Sequence, residues 1–280
     1  MSTADKRRAF RALHQSGCFV IPNPWNVGTA RYLQGLGFKA LATTSSGFAH
    51  SQGYADGAQS CDQVLAHFAE IAAATDVPVN ADFENGFADD LEGLAENVTH
   101  CIATGVAGLS IEDSTGDASR PLYDFNVALA RVKAARAAID RAGGGVMFTA
   151  RTEGFIRGRP DMDETIRRLK AFADAGADCL YSPGIKTREQ IAATVKAVAP
   201  KPINFLNSGA FGFTVKDLGE MGVRRISVGG TLARVAMDAF VKAASEIARD
   251  GSFDRFAGVI TNAELNTFFA DDHAKRPIHD

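Results

Sequence analysis

The chain has 280 residues, of which 46% are hydrophobic and 22% are charged. This size and composition fit a single domain with a large buried core and argue against disorder. The net charge of −3 gives no electrostatic basis for binding nucleic acid or an acidic membrane surface. No apolar run approaches the length of about 18 residues that a membrane span needs.

The polar first ten residues lack the apolar segment of a secretion signal, and the four cysteines are scattered without CxxC spacing. Both features favour a reducing compartment and argue against a structural zinc site. We therefore expect a cytoplasmic protein with neither nucleic acid nor membrane among its partners.

Short β-branched or apolar runs alternate with longer alanine-rich segments along most of the chain. Eight such runs are present, at residues 18–22, 39–43, 77–83, 108–112, 145–150, 179–182, 202–206 and 225–229. The alternation predicts a parallel sheet with helical connections, and eight repeats favour a closed (β/α)8 TIM barrel. A doubly wound open sheet is the alternative, but the GxGxxG phosphate fingerprint is absent after the first run.

The segments between the runs carry the signals of amphipathic helices. Residues 163–173, for example, have apolar side chains at positions i, i+3 and i+7. Asp161 or Asp163 is placed to cap the start of this helix, and Gly176 suits the position after its end. Similar patterns before the other runs support the barrel.

We predict that residues 1–250 form the barrel and residues 251–280 a C-terminal helical extension. The extension is too apolar for a loose tail, because it contains four phenylalanines, at positions 253, 256, 268 and 269. It would either close the bottom of the barrel or form an arm that packs on a neighbouring subunit.

Catalytic groups of a (β/α)8 barrel lie at the C-terminal ends of the strands and in the loops that follow them. Most side chains at these places carry oxygen atoms. The residues found at these places are Thr43 to Ser46 with His50, Tyr54 and Asp56 after the second strand, Asp82 to Asn85 after the third, Glu112 to Ser114 after the fourth, Arg151 to Glu153 after the fifth, and Asn204 and Asn207 on the seventh.

Acidic side chains at the ends of the third and fourth strands, with another in the preceding loop, are expected to converge. Carboxylates brought together repel one another, and a buried charge without a partner is costly. A divalent cation would resolve both problems. With oxygen ligands and no His or Cys nearby, Mg²⁺ fits best, with Mn²⁺ as the alternative.

Arg151 supplies the complementary charge, because a planar guanidinium holds a carboxylate through two hydrogen bonds. The segment from Ser45 to Gly47 adds hydroxyls and backbone N–H groups, and glycine permits close approach. Together with a metal ion, these groups suit a 2-oxo acid bound through its carboxylate and carbonyl. They would also stabilise the enolate that forms when a bond beside the carbonyl breaks.

Each of these residues also has a structural interpretation. Asp113 or Asp56 alone would more often be a helix N-cap. Arg151 would alternatively form a salt bridge to Glu153 or Glu84 at the barrel mouth. The functional prediction therefore depends on the combination.

Five blocks of residues occur in a fixed order between Ile21 and about Ala233. They are 44–48 (Thr-Ser-Ser-Gly-Phe), 82–87 (Asp-Phe-Glu-Asn-Gly-Phe), 111–113 (Ile-Glu-Asp), 150–153 (Ala-Arg-Thr-Glu) and 175–178 (Ala-Gly-Ala-Asp). In this order and spacing they resemble the isocitrate lyase/phosphoenolpyruvate mutase superfamily. The combination is specific, whereas any single block would not be.

The resemblance implies a Mg²⁺ ion held by Asp82, with Asp56, Glu84 and Glu112 as further ligands or behind bridging water. It also implies a small anionic 2-oxo acid bound by Arg151 and the backbone of residues 46–48. The residues predicted to bind substrate are Ser45, Ser46, Gly47, Phe48, Arg151 and Asn204. Members of this superfamily act on C–C or P–C bonds through enolate-type intermediates. They are usually dimers or tetramers that exchange a C-terminal helix, so we expect a homodimer or homotetramer.

Several departures from the superfamily pattern bear on the reaction. Glu84 replaces the second Asp, and the loop 114–123 lacks both the KKCGH-like sequence of the lyases and the Lys and Asn of the mutases. By count from Glu112, Arg120 falls about where the lyase Cys or the mutase Asn would stand; it cannot act as a general acid near neutral pH but can stabilise a leaving carboxylate or phosphoryl group. Tyr123 or a metal-bound water is then the candidate for proton transfer. Pro183 replaces an expected acidic or His residue, and these departures argue against the standard isocitrate lyase, methylisocitrate lyase and phosphoenolpyruvate mutase activities.

Three hypotheses follow. The first is a Mg²⁺-dependent lyase that cleaves or decarboxylates a small 2-oxo or 2-hydroxy dicarboxylic acid. The second is a phosphonomutase or phosphonate hydrolase, which only the turnover of a phosphonate such as phosphonopyruvate would indicate. The third is a metal-dependent protein that binds an oxo acid with little catalysis, because the loop acid is missing.

Overall fold

Eight parallel strands form one sheet in the computed structural model, which describes residues 1–276. The strands are β1 (Phe19–Ile21), β2 (Leu41–Ala42), β3 (Val79–Asp82), β4 (Gly108–Glu112), β5 (Met147–Arg151), β6 (Cys179–Tyr181), β7 (Ile203–Leu206) and β8 (Arg225–Ser227). Their order, β1-β8-β7-β6-β5-β4-β3-β2, leaves β1 and β2 at the two ends of the sheet. The N–H of Ala42 donates to the carbonyl of Pro22 over 3.1 Å and joins these ends. The predicted (β/α)8 barrel is confirmed.

Helices alternate with the strands along the described chain. They are α1 (Thr3–Leu13), α2 (Val27–Gly35), α3 (Ser45–Ser51), α4 (Cys61–Ala74), α5 (Leu91–Ala103), α6 (Phe125–Arg141), α7 (Met162–Asp174), α8 (Arg188–Val198), α9 (Val215–Glu220), α10 (Thr231–Asp250) and α11 (Asn262–Ala274), with a short 3-10 turn at Asp254–Phe256. Within residues 1–276, no helix has the length and apolarity needed to cross a membrane.

The ends of α7 illustrate how local sequence sets the boundaries. The side chain of Asp161 accepts a hydrogen bond of 3.0 Å from the N–H of Glu164, so Asp161 is the N-cap and Asp163 lies in the first turn. Gly176 follows the helix with φ of 101°, a conformation that favours glycine. The predicted start and end of this helix are therefore confirmed.

The bottom of the barrel, where the strands begin, is closed by α1. The ring of Phe10 on this helix is fully buried and packs in a small apolar cluster with Ile21, Ala42 and Met147. A helix in this place was one of the two interpretations of the C-terminal extension. In the described structure the N-terminal helix fills this position.

The described part of the extension folds back on α2 of its own chain. Asp272 on α11 pairs with the buried guanidinium of Arg31, and the ring of Phe268 lies 4.5 Å from that of Tyr32. In contrast, α10 buries none of its residues in the single chain. Its exposed apolar side chains include Val235, Met237, Phe240 and Val241. Residues 277–280 of the predicted extension lie outside the described residues.

Candidate active site

Acidic residues and one arginine meet at the C-terminal ends of β3, β4 and β5. The strand register places Glu112 beside Arg151. Three carboxylates surround the guanidinium of Arg151: Asp82 Oδ1 is 2.5 Å from Nη1, Glu112 Oε2 is 3.2 Å from Nη2, and Glu153 Oε1 is 3.0 Å from Nε. The salt bridge that was predicted as an alternative role for Arg151 is therefore formed with Glu153 but not with Glu84.

Glu84 follows β3 in a left-handed conformation, with φ of 46°, which is uncommon for a residue other than glycine. Burial of its carboxyl group raises its pKa to about 8, and the negative charges of Asp82, Glu112 and Asp56 contribute to this shift. The four acidic residues predicted to bind metal therefore lie close enough to repel one another. Backbone strain and charge repulsion coincide here, as they often do at functional sites.

The carboxylates are not arranged as a finished metal site. Among residues 1–276, no three His, Cys, Asp or Glu side chains converge with the spacing of metal ligands. The guanidinium of Arg151 contacts both Asp82 and Glu112, so these two carboxylates are already paired with a positive charge. The donors nevertheless fit a hard cation, because all are carboxylate oxygens and because a positive charge would relieve the repulsion at Glu84.

The Ser-Ser-Gly segment forms the start of α3. Thr44 is the N-cap, and the N–H of Ser45 donates to Asp82 Oδ2 over 3.2 Å. Ser45 and Ser46 line a cavity of about 170 Å³ at the barrel mouth. The structure therefore brings both serines to the acidic cluster, as predicted from the sequence.

Gly47 and Phe48 do not line this cavity. The ring of Phe48 stacks on the ring of His67 at 3.9 Å, between α3 and α4. Gly47 donates its N–H to Thr44 Oγ1 over 3.4 Å, and a Cβ at this position would approach the Thr44 methyl group to 2.6 Å. These two predicted substrate-binding residues instead fix the position of α3 in this structure.

Two adjoining cavities share Ser45, Asp56 and Arg151. The first, at 170 Å³, is also lined by Ser46, Asp82, Tyr181, Asn204 and Arg225. The second, of about 380 Å³, is also lined by Glu84, Asn85, Glu112, Glu153, Arg157 and the loop residues Ser114 to Gly116. All four predicted metal-binding residues therefore line these two adjoining cavities, which together are called the cleft.

The side chain of Asn204 makes its hydrogen bonds inside the barrel. Its side-chain amide donates to Ser227 Oγ over 2.9 Å, and its oxygen accepts from Arg225 Nε over 2.8 Å. Arg225 also donates to Thr149 Oγ1 over 3.0 Å. The amide of Asn204 is thus engaged by the barrel interior. Sequence reasoning missed Arg225, although a charged residue within an apolar strand was a usable signal.

Arg120 and Tyr123 are not brought to the cleft. Arg120 is exposed on the loop after β4, and neither residue lines the two cavities. The ring of Tyr123 lies 4.4 Å from the guanidinium of Arg131, and its buried hydroxyl has no hydrogen-bond partner in the described chain. A role for these two residues requires the loop to move.

Tyr181 is a hydroxyl-bearing residue at the cleft that sequence reasoning missed. Its ring centroid lies 4.8 Å from the guanidinium carbon of Arg151, and its burial raises the pKa of the phenol. Its position at the C-terminal end of β6 was the available signal. The hydroxyl therefore stays protonated beside the arginine at neutral pH.

Asp113 is not a helix N-cap. It accepts hydrogen bonds from the N–H of Glu153 over 2.8 Å and from Arg168 Nη1 over 3.0 Å. Burial raises the pKa of its carboxyl group. Asp113 therefore ties the ends of β4 and β5 to α7 and positions the residues that flank Arg151.

A family model described as phosphoenolpyruvate phosphomutase matches residues 10–248. The chain belongs to the phosphoenolpyruvate mutase/isocitrate lyase superfamily. Among solved structures, it is similar to a candidate lyase/mutase of Burkholderia cenocepacia J2315, with 45% identity and a TM-score of 0.92 over 96% of this chain and 97% of that one. The superfamily resemblance of the five sequence blocks is thereby confirmed.

Two further members of the superfamily have ligands bound. An oxaloacetate acetylhydrolase in complex with its product oxalate is 26% identical, with a TM-score of 0.85 over 98% of this chain and 97% of that one. A phosphonopyruvate hydrolase in complex with oxalate and Mg²⁺ is 25% identical, with a TM-score of 0.84 over the same shares. The first acts on a C–C bond and the second on a P–C bond.

Proposed function

We propose that this protein is a Mg²⁺-dependent carbon–carbon lyase for a small 2-oxo or 2-hydroxy dicarboxylic acid, acting through an enolate-type intermediate. The observation that carries the proposal is the position of Arg151 among Asp82, Glu112 and Glu153, at a cleft that Ser45 also lines. An arginine beside a cluster of carboxylates can hold an anionic substrate next to a divalent cation. Oxalate, a small dianion, is bound in two relatives, which supports a small anionic ligand for this cleft.

The acidic cluster would hold the cation, with Mg²⁺ preferred and Mn²⁺ as the alternative. Asp82 is the proposed ligand, and Asp56, Glu84 and Glu112 would bind directly or through water. A bound cation would supply Lewis-acid stabilisation of the charge that develops on the substrate carbonyl oxygen. Once these carboxylates are neutralised, the guanidinium of Arg151 can turn from them to the substrate carboxylate.

The protein side chains would then position the substrate and move one proton. Arg151 holds the carboxylate beside the carbonyl, and the Ser45 and Ser46 hydroxyls border the bound group. For an oxo dicarboxylic acid such as oxaloacetate, the carboxylate remote from the carbonyl would leave as CO2, and the electron pair of the broken C–C bond would form the enolate in the fragment that keeps the carbonyl. The O–H of Tyr181 would return a proton to the freed carbon, and solvent would restore the phenol.

We also propose that the protein works as a homodimer or homotetramer. Support comes from α10, which exposes Met237 and Phe240 and buries no residue in the single chain. Exposed apolar faces of this kind are typical of protein–protein contacts.

The direct test is calorimetric titration of oxalate and oxaloacetate, first with Mg²⁺ and then with EDTA. We expect binding that requires Mg²⁺ and weakens about 100-fold in Arg151→Ala, because a charge-assisted pair is lost. Asp82→Ala should abolish the Mg²⁺ dependence. Asp163→Ala, on the exposed first turn of α7, is the matched control and should bind as the wild type does. Equal binding in EDTA would contradict the proposal.

The similarity to phosphonopyruvate hydrolase keeps P–C bond chemistry as a second candidate. Turnover of phosphonopyruvate, with no turnover of oxo dicarboxylates, would favour it. Tight Mg²⁺-dependent binding without turnover of any of these compounds would instead indicate an oxo-acid-binding protein.

A further inference from the structure

The loop after β5 returns over the carboxylate cluster through a turn fixed by backbone hydrogen bonds. The N–H groups of Ile156 and Arg157 donate to the carbonyl of Glu153 over 3.0 and 2.9 Å. The N–H of Arg159 donates to the carbonyl of Gly154 over 2.8 Å. Because these bonds hold the backbone, the side chain of Arg157 starts from a defined position beside the cleft.

The guanidinium of Arg157 reaches the cluster but is weakly held there. Its Nη2 lies 3.4 Å from Glu112 Oε1, and this is its only side-chain hydrogen bond within the described residues. The side chain is 43% exposed, and half-exposed ion pairs contribute less than about 1 kcal/mol. Glu112 is in addition already paired with Arg151 through its other oxygen. Arg157 therefore keeps donors for another anion.

The larger of the two cavities that form the cleft is lined by more acidic than basic side chains. Its carboxylates are those of Asp56, Glu84, Glu112 and Glu153, and among its described lining residues the cationic side chains are Arg151 and Arg157. The adjoining loop residues 114–116 carry no charge. In the proposed function Arg151 is committed to the carboxylate beside the carbonyl. A second anionic group entering this cavity can therefore find its positive partner at Arg157.

We propose that Arg157 binds a second anionic group of the substrate, a carboxylate or a phosphonate attached to the carbon next to the carbonyl. This inference rests on the proposed function and adds a determinant of specificity to it. Because the pair with Glu112 is long and half-exposed, the guanidinium of Arg157 would be free to turn to the ligand when a cation occupies the acidic cluster. Compounds that end at the chelating atoms do not use this contact.

The test compares two ligands in the presence of Mg²⁺, by calorimetry on the full chain. Oxalate has no group beyond its chelating atoms, whereas 3,3-difluorooxaloacetate carries a second carboxylate there. In Arg157→Gln we expect the Kd of difluorooxaloacetate to rise about 10- to 100-fold, the loss expected for hydrogen bonds to a charged group. The Kd of oxalate should change less than about twofold, within the effect of a surface charge.

Arg159→Gln is the matched control, because Arg159 lies in the same loop but lines a different cavity with Leu122 and Asp161. Its affinities for both ligands should equal those of the wild type. Titration of phosphonopyruvate in the same series distinguishes a phosphonate from a carboxylate. If Arg157→Gln loses more affinity for phosphonopyruvate than for difluorooxaloacetate, Arg157 binds a phosphonate. If it loses less, Arg157 binds a carboxylate.

Two results would overturn the inference while the proposed function stands. One is wild-type affinity of Arg157→Gln for every ligand. The other is an equal loss for oxalate and difluorooxaloacetate, which would mean that Arg157 acts only through Glu112 and the cation. If the wild-type protein bound neither ligand, the proposed function itself would fail and the inference with it.

Discussion

The two ends of the barrel bury charged groups in opposite ways. At the end where the strands begin, Arg225 donates to the neutral oxygens of Asn204 and Thr149, and Lys6 donates to the backbone carbonyls of Ala72 and Thr75. Each of these two buried cations meets acceptors that carry no charge. That arrangement satisfies the donors and provokes no repulsion.

At the end where the strands finish, carboxylates outnumber cations. Glu84 and Glu153 both have pKa values raised to about 8, chiefly by burial and in part by neighbouring negative charges. One oxygen of Glu153 has no hydrogen-bond partner within residues 1–276. Such a site lowers the stability of the fold and is typical of function, whereas the opposite end serves stability. Three variants test this contrast.

The largest effect should come from the functional end and should appear in turnover. Tyr181→Phe keeps the ring beside Arg151 but removes the proposed proton donor, so kcat on oxaloacetate should fall about 10²- to 10⁴-fold. Oxalate affinity and the melting temperature should not change. Tyr123→Phe is the matched control, since its hydroxyl lies outside both cavities, and should retain kcat. If Tyr123→Phe lost turnover and Tyr181→Phe did not, Tyr123 and not Tyr181 would be the proton donor.

A smaller effect, in stability, is expected at the opposite end. Arg225→Met leaves the acceptors of Asn204 and Thr149 without a buried donor, which should cost about 2 kcal/mol of unfolding free energy. Urea denaturation measures this loss. Arg224→Met, at the neighbouring and less buried position, should cost less than about 0.5 kcal/mol. Unchanged stability of Arg225→Met would contradict the division between the two ends.

The smallest effect concerns the pH dependence of stability without metal. The pKa of Glu84 is raised from 4.5 to about 8, so the folded state binds its proton more tightly than the unfolded state does. The stability associated with this proton is complete below the unfolded pKa and is lost as the pH rises toward 8. In EDTA, unfolding free energy should therefore fall between about pH 5 and 8.

Glu84→Gln removes one of the groups that titrate in this range, so its stability should fall less steeply with pH than that of the wild type. A residual slope is expected, because the pKa of Glu153 is raised to about 8 as well. Urea denaturation at several pH values measures both slopes. Parallel curves for the two proteins would show that Glu84 is ionised throughout and that the repulsion at the functional end is smaller than we infer.

The sequence by itself determined the barrel and the composition of its functional end. Strands and caps such as Asp161 follow from patterns within a few residues of each position. The meeting of Asp82, Glu112 and Arg151 was predictable for a different reason: all strands of a parallel barrel finish at the same face. Residues that end different strands are therefore neighbours, however far apart they lie in the chain.

Only the tertiary structure decided which side chains enter the cleft. Tyr123 was predicted there, but its N–H donates to the carbonyl of Asp113 and its ring packs against Arg131. Tyr181 and Arg157 reach the cleft instead. The direction of a loop side chain and the partner of a buried charge depend on atoms contributed by distant segments. Local sequence therefore fixes which strand end a residue follows, and long-range packing and electrostatics fix where its side chain points.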